Sequence, residues 1–534
     1  MLPSTLLLLM AATWSPELLL RLEHPTPVES GAFGLDAISP GDVNGDGRDD
    51  LVVSTINQEL LLYLGGETGL SSTPAAVFTS PADRPWYGFR LRAAGDINGD
   101  GFGDVLVAAG APIAYYKTSG SVYVYWGSAS GLNSSPTELT SPAAAWGDGF
   151  GFEPAAGDLD GDGYSDVIAA GSGILYVFPG SAEGIQTEEV YRLVAEKRLA
   201  ERPRILDVDG DGDQEVLTLE ALGDTGGAEI VTFDGLAAGD EMASGEHGSA
   251  WFELFDSEAG DLNHDGFGDF WYFEGSSLTL YQGSGTGSFT SSRHSTAIGA
   301  KAPSYLQGDL DGDGHPELVS WGLTNSSTLE QVHVFKGGPS ADLDKPLVTI
   351  DNPQPERGYF GVRPGPSGDF DGDGVHELVV AARFDDPGGA VYIYTLKCEQ
   401  PWYPDADGDG FGSGPAVLSC EAPAEGSWAE EEGDCDDSDS GVHPSATEIP
   451  GDGIDNDCDG EDTLADTAPQ DSGESPDGPE PQDSDAVSDA DDPPASNPPQ
   501  SCGCQGLGST AGGGLVGLGL LLLLGWRRRS VVEV

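Results

Sequence analysis

The sequence predicts an all-β fold, a seven-bladed β-propeller with calcium loops, and three observations predict it. One acidic nonapeptide recurs seven times, strand-like segments surround each copy, and the copies lie 48 to 62 residues apart. The propeller should occupy residues 15–397, after a signal peptide at 1–14. A small disulfide and calcium module at 398–462, a disordered acidic linker at 463–500 and a C-terminal hydrophobic helix within 501–534 should follow.

The net charge limits the classes of partner. The chain carries 22 Lys and Arg against 91 Asp and Glu, a formal net charge of −69. Binding to nucleic-acid phosphates needs a basic surface, so no nucleic acid is expected as a partner. The same imbalance argues against a polybasic contact with anionic lipid.

An apolar run at residues 2–12 predicts the core of a signal peptide. Ala11 and Ala12 are small residues of the kind found at cleavage sites. No basic residue precedes the run, so the cleavage position stays open. A buried strand is the alternative interpretation.

The nonapeptide copies, here called acid loops one to seven, are rich in Asp and Gly. They read DVNGDGRDD, DINGDGFGD, DLDGDGYSD, DVDGDGDQE, DLNHDGFGD, DLDGDGHPE and DFDGDGVHE. Calcium prefers six to eight hard oxygen ligands, and side chains at positions 1, 3 and 5 of such a loop converge on one point. Position 6 is always Gly, which a sharp turn favours, and position 9 is always Asp or Glu.

Position 7 varies freely among the copies, which indicates that it offers its backbone carbonyl. With it, the predicted calcium ligands are Asp42, Asn44, Asp46, Arg48, Asp50, Asp96, Asn98, Asp100, Phe102, Asp104, Asp158, Asp160, Asp162, Tyr164, Asp166, Asp207, Asp209, Asp211, Asp213, Glu215, Asp261, Asn263, Asp265, Phe267, Asp269, Asp309, Asp311, Asp313, His315, Glu317, Asp369, Asp371, Asp373, Val375 and Glu377. Solvated hairpin turns are the alternative. Because clustered carboxylates repel each other, calcium should support folding as well as bind.

The segments around each acid loop predict strands rather than the helices of an EF-hand. Position 12 never holds the Glu that an EF-hand needs, and the following residues are rich in β-branched side chains. An alternating strand that ends near Gly comes later in six copies, as in VYVYWG. An aromatic-Gly pair precedes the loop in four copies, at Phe33-Gly34, Tyr87-Gly88, Phe150-Gly151 and Phe360-Gly361. A repeat of this length with about four strands has the size of a propeller blade.

Together, these features resemble the FG-GAP repeat of integrin α-subunit propellers and their bacterial relatives. The resemblance covers about residues 18–397 and implies a seven-bladed ring with calcium loops on one rim. Residues 17–23 precede the first copy where an outer strand would lie, whereas the seventh copy runs directly into Cys398. We therefore expect residues 17–23 to complete the last blade and close the ring.

Residues 398–462 predict a second metal-binding unit. An eighth loop, DADGDGFGS, offers Asp405, Asp407, Asp409 and the carbonyl of Phe411, with Ser413 at position 9. The segments that follow resemble a bacterial Cys–Asp repeat, which implies further ligands among Asp434, Asp436, Asp437, Asp439, Asp455, Asp457 and Asp459. Four Cys allow three pairings, of which we favour Cys398–Cys420 and Cys435–Cys458. A thiolate site for a soft metal is the alternative.

The C-terminal region predicts export and anchoring. Residues 463–500 have almost no large apolar side chains and should form a disordered linker. Residues 507–526 are Gly/Leu-rich, long enough to span a bilayer, and precede three Arg. With Cys502 and Cys504, this segment resembles the myxobacterial-type C-terminal sorting tag, which implies processing by a membrane protease and attachment at the cell surface. A single-pass membrane anchor is the alternative.

The function predicted from these features is a calcium-stabilised binding or adhesion module displayed at the cell surface, with an unidentified surface protein or polysaccharide as ligand. The sequence contains no G-x-S-x-G, no H-E-x-x-H and no phosphate loop with its Lys, so we do not expect an enzyme. The aromatic residues Trp86, Tyr87, Trp146 and Trp251 serve either blade packing or a ligand-binding face. A carbohydrate-active enzyme on a propeller scaffold and a purely structural envelope protein remain alternatives.

Overall fold

The computed structural model describes residues 14–26, 33–81, 84, 86–110, 120–142, 149–171, 174–188, 191–193, 203–221, 228–233, 241–243, 259–274, 277–285, 289–295, 304–323, 330–339, 341, 343–354, 360–364, 366–383, 385, 388–419, 422–423 and 426–462. The chain divides into two compact units, Met1–Ala465 and Asp466–Val534, and all described residues belong to the first. The predicted signal-peptide core, linker and C-terminal segment lie outside the described residues, as do Cys420, Cys502, Cys504, Trp146 and Trp251.

The described residues form β-strands and no α-helix, which confirms the predicted all-β class. None of them belongs to a helix long and apolar enough to cross a membrane. Within these ranges the strands build seven four-stranded antiparallel sheets. The chain contributes β1 (Trp14–Glu23) first, then six sheets of four consecutive strands, and then the last three strands of the seventh sheet.

The first sheet contains β2 (Phe33–Gly41), β3 (Asp50–Thr55), β4 (Glu59–Tyr63) and β5 (Ala76–Thr79), and the second contains β6 (Leu91–Gly95), β7 (Asp104–Ala108), β8 (Ser121–Tyr125) and β9 (Thr137–Thr140). The third contains β10 (Ala155–Gly157), β11 (Asp166–Gly171), β12 (Ile174–Phe178) and β13 (Tyr191–Leu193), and the fourth contains β14 (Arg204–Leu206), β15 (Glu215–Ala221), β16 (Ala228–Phe233) and β17 (Glu241–Ala243). The fifth contains β18 (Ala259–Gly260), β19 (Asp269–Glu274), β20 (Ser277–Gln282) and β21 (Thr290–Ser295), and the sixth contains β22 (Ser304–Leu306), β23 (Leu318–Leu323), β24 (Glu330–Phe335) and β25 (Val348–Asp351). The seventh contains β26 (Phe360–Pro364), β27 (Leu378–Ala382) and β28 (Ala390–Cys398).

Each acid loop connects the first strand of its sheet to the second. Position 9 begins the second strand, as Asp50 begins β3, or immediately precedes it, as Glu317 precedes β23. The predicted strand-to-strand setting of the loops is therefore confirmed. It places the same acidic loop at the same end of every sheet.

The apolar core consists of clusters that join neighbouring sheets. Val52 of the first sheet packs in one cluster with Val105 of the second. Equivalent clusters join each later sheet to the next. A further cluster joins the seventh sheet back to the first through Val391 and Val53. Burying one such side chain stabilises the fold by about 1.5–3 kcal/mol, so each interface contributes substantially.

The aromatic-Gly pairs position the first strands against the preceding sheets. Phe33, Tyr87, Phe150 and Phe360 are all buried. Gly151 has a φ of +73°, and a Cβ there would lie 2.7 Å from the carbonyl oxygen of Ser121 in the second sheet. Only Gly allows that approach and that backbone conformation together. These pairs are therefore packing elements of the interfaces between sheets.

Strand β1 completes the seventh sheet, whose order is β1-β28-β27-β26. It pairs antiparallel with β28, from Trp14 opposite Cys398 to Glu23 opposite Ala390. Leu22 of β1 is buried in the cluster between the seventh and first sheets. The prediction that residues 17–23 form an outer strand of the last sheet is confirmed, and the strand begins three residues earlier than predicted.

The small module follows β28 and contains only short strands. They are β29 (Pro401–Pro404), β30 (Phe411–Gly412), β31 (Val417–Leu418), β32 (Trp428–Ala429) and β33 (Glu431–Glu432). Strand β29 pairs with β31 and β32, while β30 pairs with β33 in parallel. Its few buried apolar side chains, Ala429 and Val442 among them, cannot supply much stability, so covalent or metal cross-links matter more here.

Candidate metal centres

Three hydrogen bonds recur in all seven acid loops and fix the direction of their carboxylates. The carboxylate at position 1 accepts the N–H of the Gly at position 6, at 2.7–3.1 Å. The carboxylate at position 5 accepts the N–H of position 7, at 2.8–3.1 Å. The acid at position 9 accepts the N–H of position 2, at 2.6–3.2 Å. The backbone thus fixes the carboxylates of positions 1, 5 and 9 in every loop.

An apolar residue at position 2 anchors each acid loop to the core. The seven residues share complete burial and are Val43, Ile97, Leu159, Val208, Leu262, Leu310 and Phe370. The sequence analysis did not single out this position, although its apolar character in every copy was a visible signal. The first carboxylate of each loop therefore lies between the first strand of its sheet and a residue that is buried in the core.

The acids at position 9 are buried in every loop. Burial, followed by repulsion from the other carboxylates of the loop, raises the pKa of Asp50, Asp104, Glu215 and Asp269 to about 7. The same causes raise the pKa of Asp166 to about 6 and the pKa of Glu317 and Glu377 to about 8. A buried carboxylate among other carboxylates needs a compensating positive charge in order to stay ionised.

The second oxygen of the position 9 acid differs between Asp and Glu. In four loops with Asp, it accepts the N–H of a Gly one or two residues after the third strand: Gly65, Gly127, Gly180 and Gly283. In Glu215 and Glu317 the Oε1 atom is buried without a hydrogen-bond partner. Such an orphaned anionic oxygen fits a cation, which would satisfy it.

The carboxylates come close enough together to share one ion. One oxygen from each acid lies within 4.8 Å of the others in Asp158, Asp160 and Asp166, and likewise in Asp207, Asp209 and Glu215, in Asp309, Asp311 and Glu317, and in Asp369, Asp371 and Asp373. These groups combine the predicted ligands of positions 1, 3, 5 and 9. All donors are hard oxygens, the ligand type that calcium prefers.

A lysine from outside the sixth loop places a positive charge next to the acids of that loop. The Lys336 Nζ atom lies 3.3 Å from Asp311 Oδ2 and 2.8 Å from Asp313 Oδ2, at positions 3 and 5 of that loop. Lys336 directly follows β24, where the equivalent residues after β8 and β12 are Trp126 and Pro179. The sequence analysis missed this ammonium because it lies 25 residues from Asp311.

The side chain at position 7 contacts the neighbouring loop. A Cβ at Gly99, position 4 of the second loop, would lie 2.5 Å from the ring of Tyr164, position 7 of the third loop. Similar contacts link Gly45 to Phe102, Gly161 to Asp213, Gly210 to Phe267, Gly312 to Val375 and Gly372 to Arg48. Between the fifth and sixth loops, the rings of His264 and His315 lie 4.9 Å apart. The side chain at position 7 differs from copy to copy, and it packs against position 4 of the preceding loop.

The module contains two further loops of the same type. In the loop that starts at Asp405, Gly410 N–H donates to Asp405 and Phe411 N–H donates to Asp409, and Asp405, Asp407 and Asp409 bring their oxygens within 4.8 Å. In the segment that starts at Asp455, Gly460 N–H donates to Asp455 and Glu461 N–H donates to Asp459. Asp455, Asp457 and Asp459 therefore occupy positions 1, 3 and 5 of a ninth loop, which the sequence analysis listed only as separate acids.

The cysteines of the module form disulfides. Cys435 is bonded to Cys458, with the Cα atoms 5.8 Å apart, which confirms that predicted pair. Cys398 is also in a disulfide, and its predicted partner Cys420 lies outside the described residues. The alternative of a thiolate site is wrong for Cys435 and Cys458, because an oxidised sulfur is not a thiolate ligand.

Two buried acids outside the loops are compensated by arginine. Arg90 Nε donates to Glu153 Oε1 at 2.7 Å, and both side chains are almost fully buried. Asp36 is also buried and accepts the N–H of Leu91; its burial raises its pKa, while Arg90 and Arg92 lower it. Acids held in this way are part of the core rather than an open acid pair.

The aromatic residues preceding the second loop play different roles. Tyr87 is buried and its hydroxyl lies 2.5 Å from that of Tyr125, so it packs between sheets. Trp86 is 36% exposed and contacts Phe89 edge to face at 5.3 Å. Of the two alternatives, blade packing accounts for Tyr87, while Trp86 has a surface available for a ligand.

Comparison with family models finds matches across the sheets and the module. A model described as FG-GAP-like repeat matches residues 42–107, 96–169, 158–218 and 261–320, and one described as FG-GAP repeat matches residues 363–394. A copper-binding MopE-type model, described as "Putative metal-binding motif", matches residues 434–462.

Several curated proteins are similar to this chain. Integrin alpha pat-2 of Caenorhabditis briggsae is 32% identical over 179 residues, covering 28% of this chain and 14% of its own length. Integrin alpha-IIb of Mus musculus is 33% identical over 153 residues, or 26% of this chain and 14% of its own length. Integrin alpha-5 of Xenopus laevis is 29% identical over 157 residues, again 26% and 14%. The matched part thus spans about a seventh of these relatives.

A crystal structure of BBS1N in complex with ARL6DN, soaked with lead, aligns with 72% of this chain and 97% of its own chain. The TM-score is 0.40 and the sequence identity is 11%.

Proposed function

Because the chain belongs to the FG-GAP repeat family, we propose that its seven sheets are the blades of a closed β-propeller that acts as a calcium-stabilised binding module. The observation that carries this proposal is the closed cycle of seven apolar clusters, each between neighbouring sheets. Equivalent connections of a ring lie on one rim, so the seven acid loops present their ions on the same side.

Calcium has a structural role in this proposal. The acids at positions 1, 3, 5 and 9 would hold it, and it would supply the positive charge that the buried position 9 carboxylates require. Asp104 illustrates this requirement, because it is fully buried and lies close to Asp96 and Asp100. Each ion joins the first two strands of a sheet, so the ions stabilise the rim that meets a ligand.

Calcium is also the ion that we propose for the module, although the matching model carries copper in its name. The donors in the loops at Asp405 and Asp455 are carboxylates, and the sulfurs of Cys435 and Cys458 are bonded to each other. Hard oxygens favour calcium over the softer copper ion. Titration with both ions distinguishes the two choices.

We further propose that the module and linker display the propeller at the cell surface, after export directed by the N-terminal run. The C-terminal segment resembles a sorting tag, and this resemblance supports processing near Cys502 and Cys504 by a sorting protease. Mass spectrometry of the protein recovered from intact cells tests this part. A retained segment at residues 507–526 would favour the single-pass anchor.

The ligand class that we propose is a surface protein or polysaccharide, bound without turnover. Two buried acids outside the loops, Asp36 and Glu153, share Arg90, so neither is a free catalytic carboxylate. Exposed Trp86 and its neighbour Phe89 supply the kind of aromatic surface on which sugars and proteins bind.

The test uses the full chain with calcium and with EGTA. Calorimetry should detect calcium uptake, and EGTA should lower the melting temperature of the sheets. An array of glycans and surface proteins should show binding that EGTA abolishes. Absence of calcium uptake, or a melting curve that EGTA leaves unchanged, contradicts the proposal. Turnover of a polysaccharide would instead support the enzyme alternative.

A further inference from the structure

The start of the Cys–Asp motif lies directly against the eighth loop of the chain. Strand β30, within the loop that begins at Asp405, pairs in parallel with β33, which precedes the motif. The N–H groups of Gly433 and Asp434 both donate to the carbonyl of Gly412, at 3.1 and 3.3 Å. Segments that lie 20 to 22 residues apart in sequence are thereby held together at the end of the loop.

Asp437 takes the structural place of the missing acid at position 9. In acid loops one to seven, the position 9 carboxylate accepts the N–H of position 2. Here position 9 is Ser413, which is too short, and Asp437 accepts the Ala406 N–H at 2.7 Å. Ser413 itself donates its hydroxyl to the other Asp437 oxygen, at 3.0 Å.

Asp434 contributes a buried oxygen that has no partner. The side chain is 8% exposed, its Oδ1 atom accepts the Asp436 N–H at 2.8 Å, and its Oδ2 atom has no hydrogen-bond partner. Asp407 and Asp409 resemble Asp434 in this respect. In each carboxylate the Oδ1 atom accepts a backbone N–H, and the Oδ2 atom is buried without a hydrogen-bond partner. The Asp434 N–H donates to the Gly412 carbonyl at the end of the DADGDG loop, which places this acid beside the loop.

We propose that Asp434 and Asp437 complete a composite calcium site with Asp405, Asp407 and Asp409. The site has five carboxylates, and its hard oxygens fit calcium or a similar hard divalent cation. The ion would join the DADGDG loop to a motif whose family match begins only at residue 434. This inference rests on the calcium binding proposed above, and it assigns to two acids of the motif a ligand role in the loop that precedes the motif.

The experiment measures calcium per chain in the full-length protein. Asp434→Asn and Asp437→Asn each remove one carboxylate from the site, and Glu430→Gln is the matched control. Glu430 belongs to the same module, but it is exposed and is not one of the proposed ligands. Elemental analysis after dialysis at fixed free calcium should find one ion fewer in the Asp434 and Asp437 variants. The control should retain the wild-type number.

Hydrogen exchange supplies a local readout. The amides of Gly408 and Gly410, which donate to Asp405, should exchange faster in Asp434→Asn than in the control. Unchanged exchange in β11 and β27 verifies that the sheets remain folded. If all variants retain the wild-type calcium number, the composite site is wrong while the propeller proposal stands. If wild-type protein binds no calcium, the proposed function itself fails.

Discussion

Lys336 changes the charge of one acid loop without changing any of its acids. Its ammonium lies between Asp311 and Asp313, where a divalent ion would bind. We predict that Lys336→Met increases the calcium affinity of the sixth loop about tenfold, which corresponds to about 1.4 kcal/mol. Calorimetric titration measures the effect. Lys345→Met removes an exposed lysine and should leave the titration unchanged.

His333 is a buried titratable group far from the acid loops. Its Nδ1 atom lies 3.0 Å from Thr349 Oγ1, and burial lowers its pKa from 6.5 to about 4. The folded state therefore favours the neutral ring, so its contribution to stability is present above pH 6.5 and is lost as the pH falls towards 4.

We predict that His333→Gln reduces the loss of stability between pH 6.5 and 4. The shift from 6.5 to about 4 corresponds to a difference on the order of 3 kcal/mol in the free energy of unfolding at pH 4. Urea unfolding of both proteins at several pH values measures it. Parallel losses in the two proteins would contradict the assignment.

Neighbouring acid loops contact each other through position 4 of one loop and the side chain at position 7 of the next. Gly99 and Gly101 have φ values of +70° and +88°, so an Ala at either position is strained. Only at Gly99 would the added Cβ meet a neighbour, the ring of Tyr164 at 2.5 Å; nothing lies within 4 Å of Gly101.

We predict that Gly99→Ala destabilises the calcium-loaded protein by about 1–3 kcal/mol more than Gly101→Ala does. The excess arises because Tyr164 must move. Adding Tyr164→Ala should abolish most of that excess in a double-mutant cycle. Equal losses in the two single variants would show that position 7 does not pack against the preceding loop.

The sequence predicted most features that lie within one repeat and the outer strand of the last sheet, but it missed the side-chain contacts that join neighbouring loops. The ligands Asp158, Asp160 and Asp166 lie within nine residues of each other, so their convergence follows from local spacing. The partner of Gly99 lies 65 residues later, and no pattern in either loop indicates it. Asp437 likewise replaces Ser413 only because β30 pairs with β33.

The seventh sheet depends on β1, which comes from the start of the chain and forms the outer strand of that sheet. Leu22 is buried between the seventh and first sheets, whereas Leu19 of the same strand is 48% exposed. We predict that Leu22→Ala lowers the free energy of unfolding by about 2–5 kcal/mol. Leu19→Ala should change it by no more than about 0.5 kcal/mol.

Thermal and urea unfolding of both variants measures how much β1 contributes to the free energy of unfolding. The loss in Leu22→Ala should be accompanied by faster hydrogen exchange in β28, which pairs with β1. Equal stability of the two variants would mean that β1 is an accessory strand and that the other strands hold the ring without it.

The pairing of β1 with β28 can form only after most of the described chain has been synthesised. Arg21 and Tyr392, which contact each other across these strands, are 371 residues apart. At about 5–20 residues per second, roughly 20–70 s pass between the synthesis of the one and that of the other. Throughout that interval β1 lacks the strand with which it pairs in the native sheet. A nascent chain of this kind needs protection from aggregation until its last sheet has been translated.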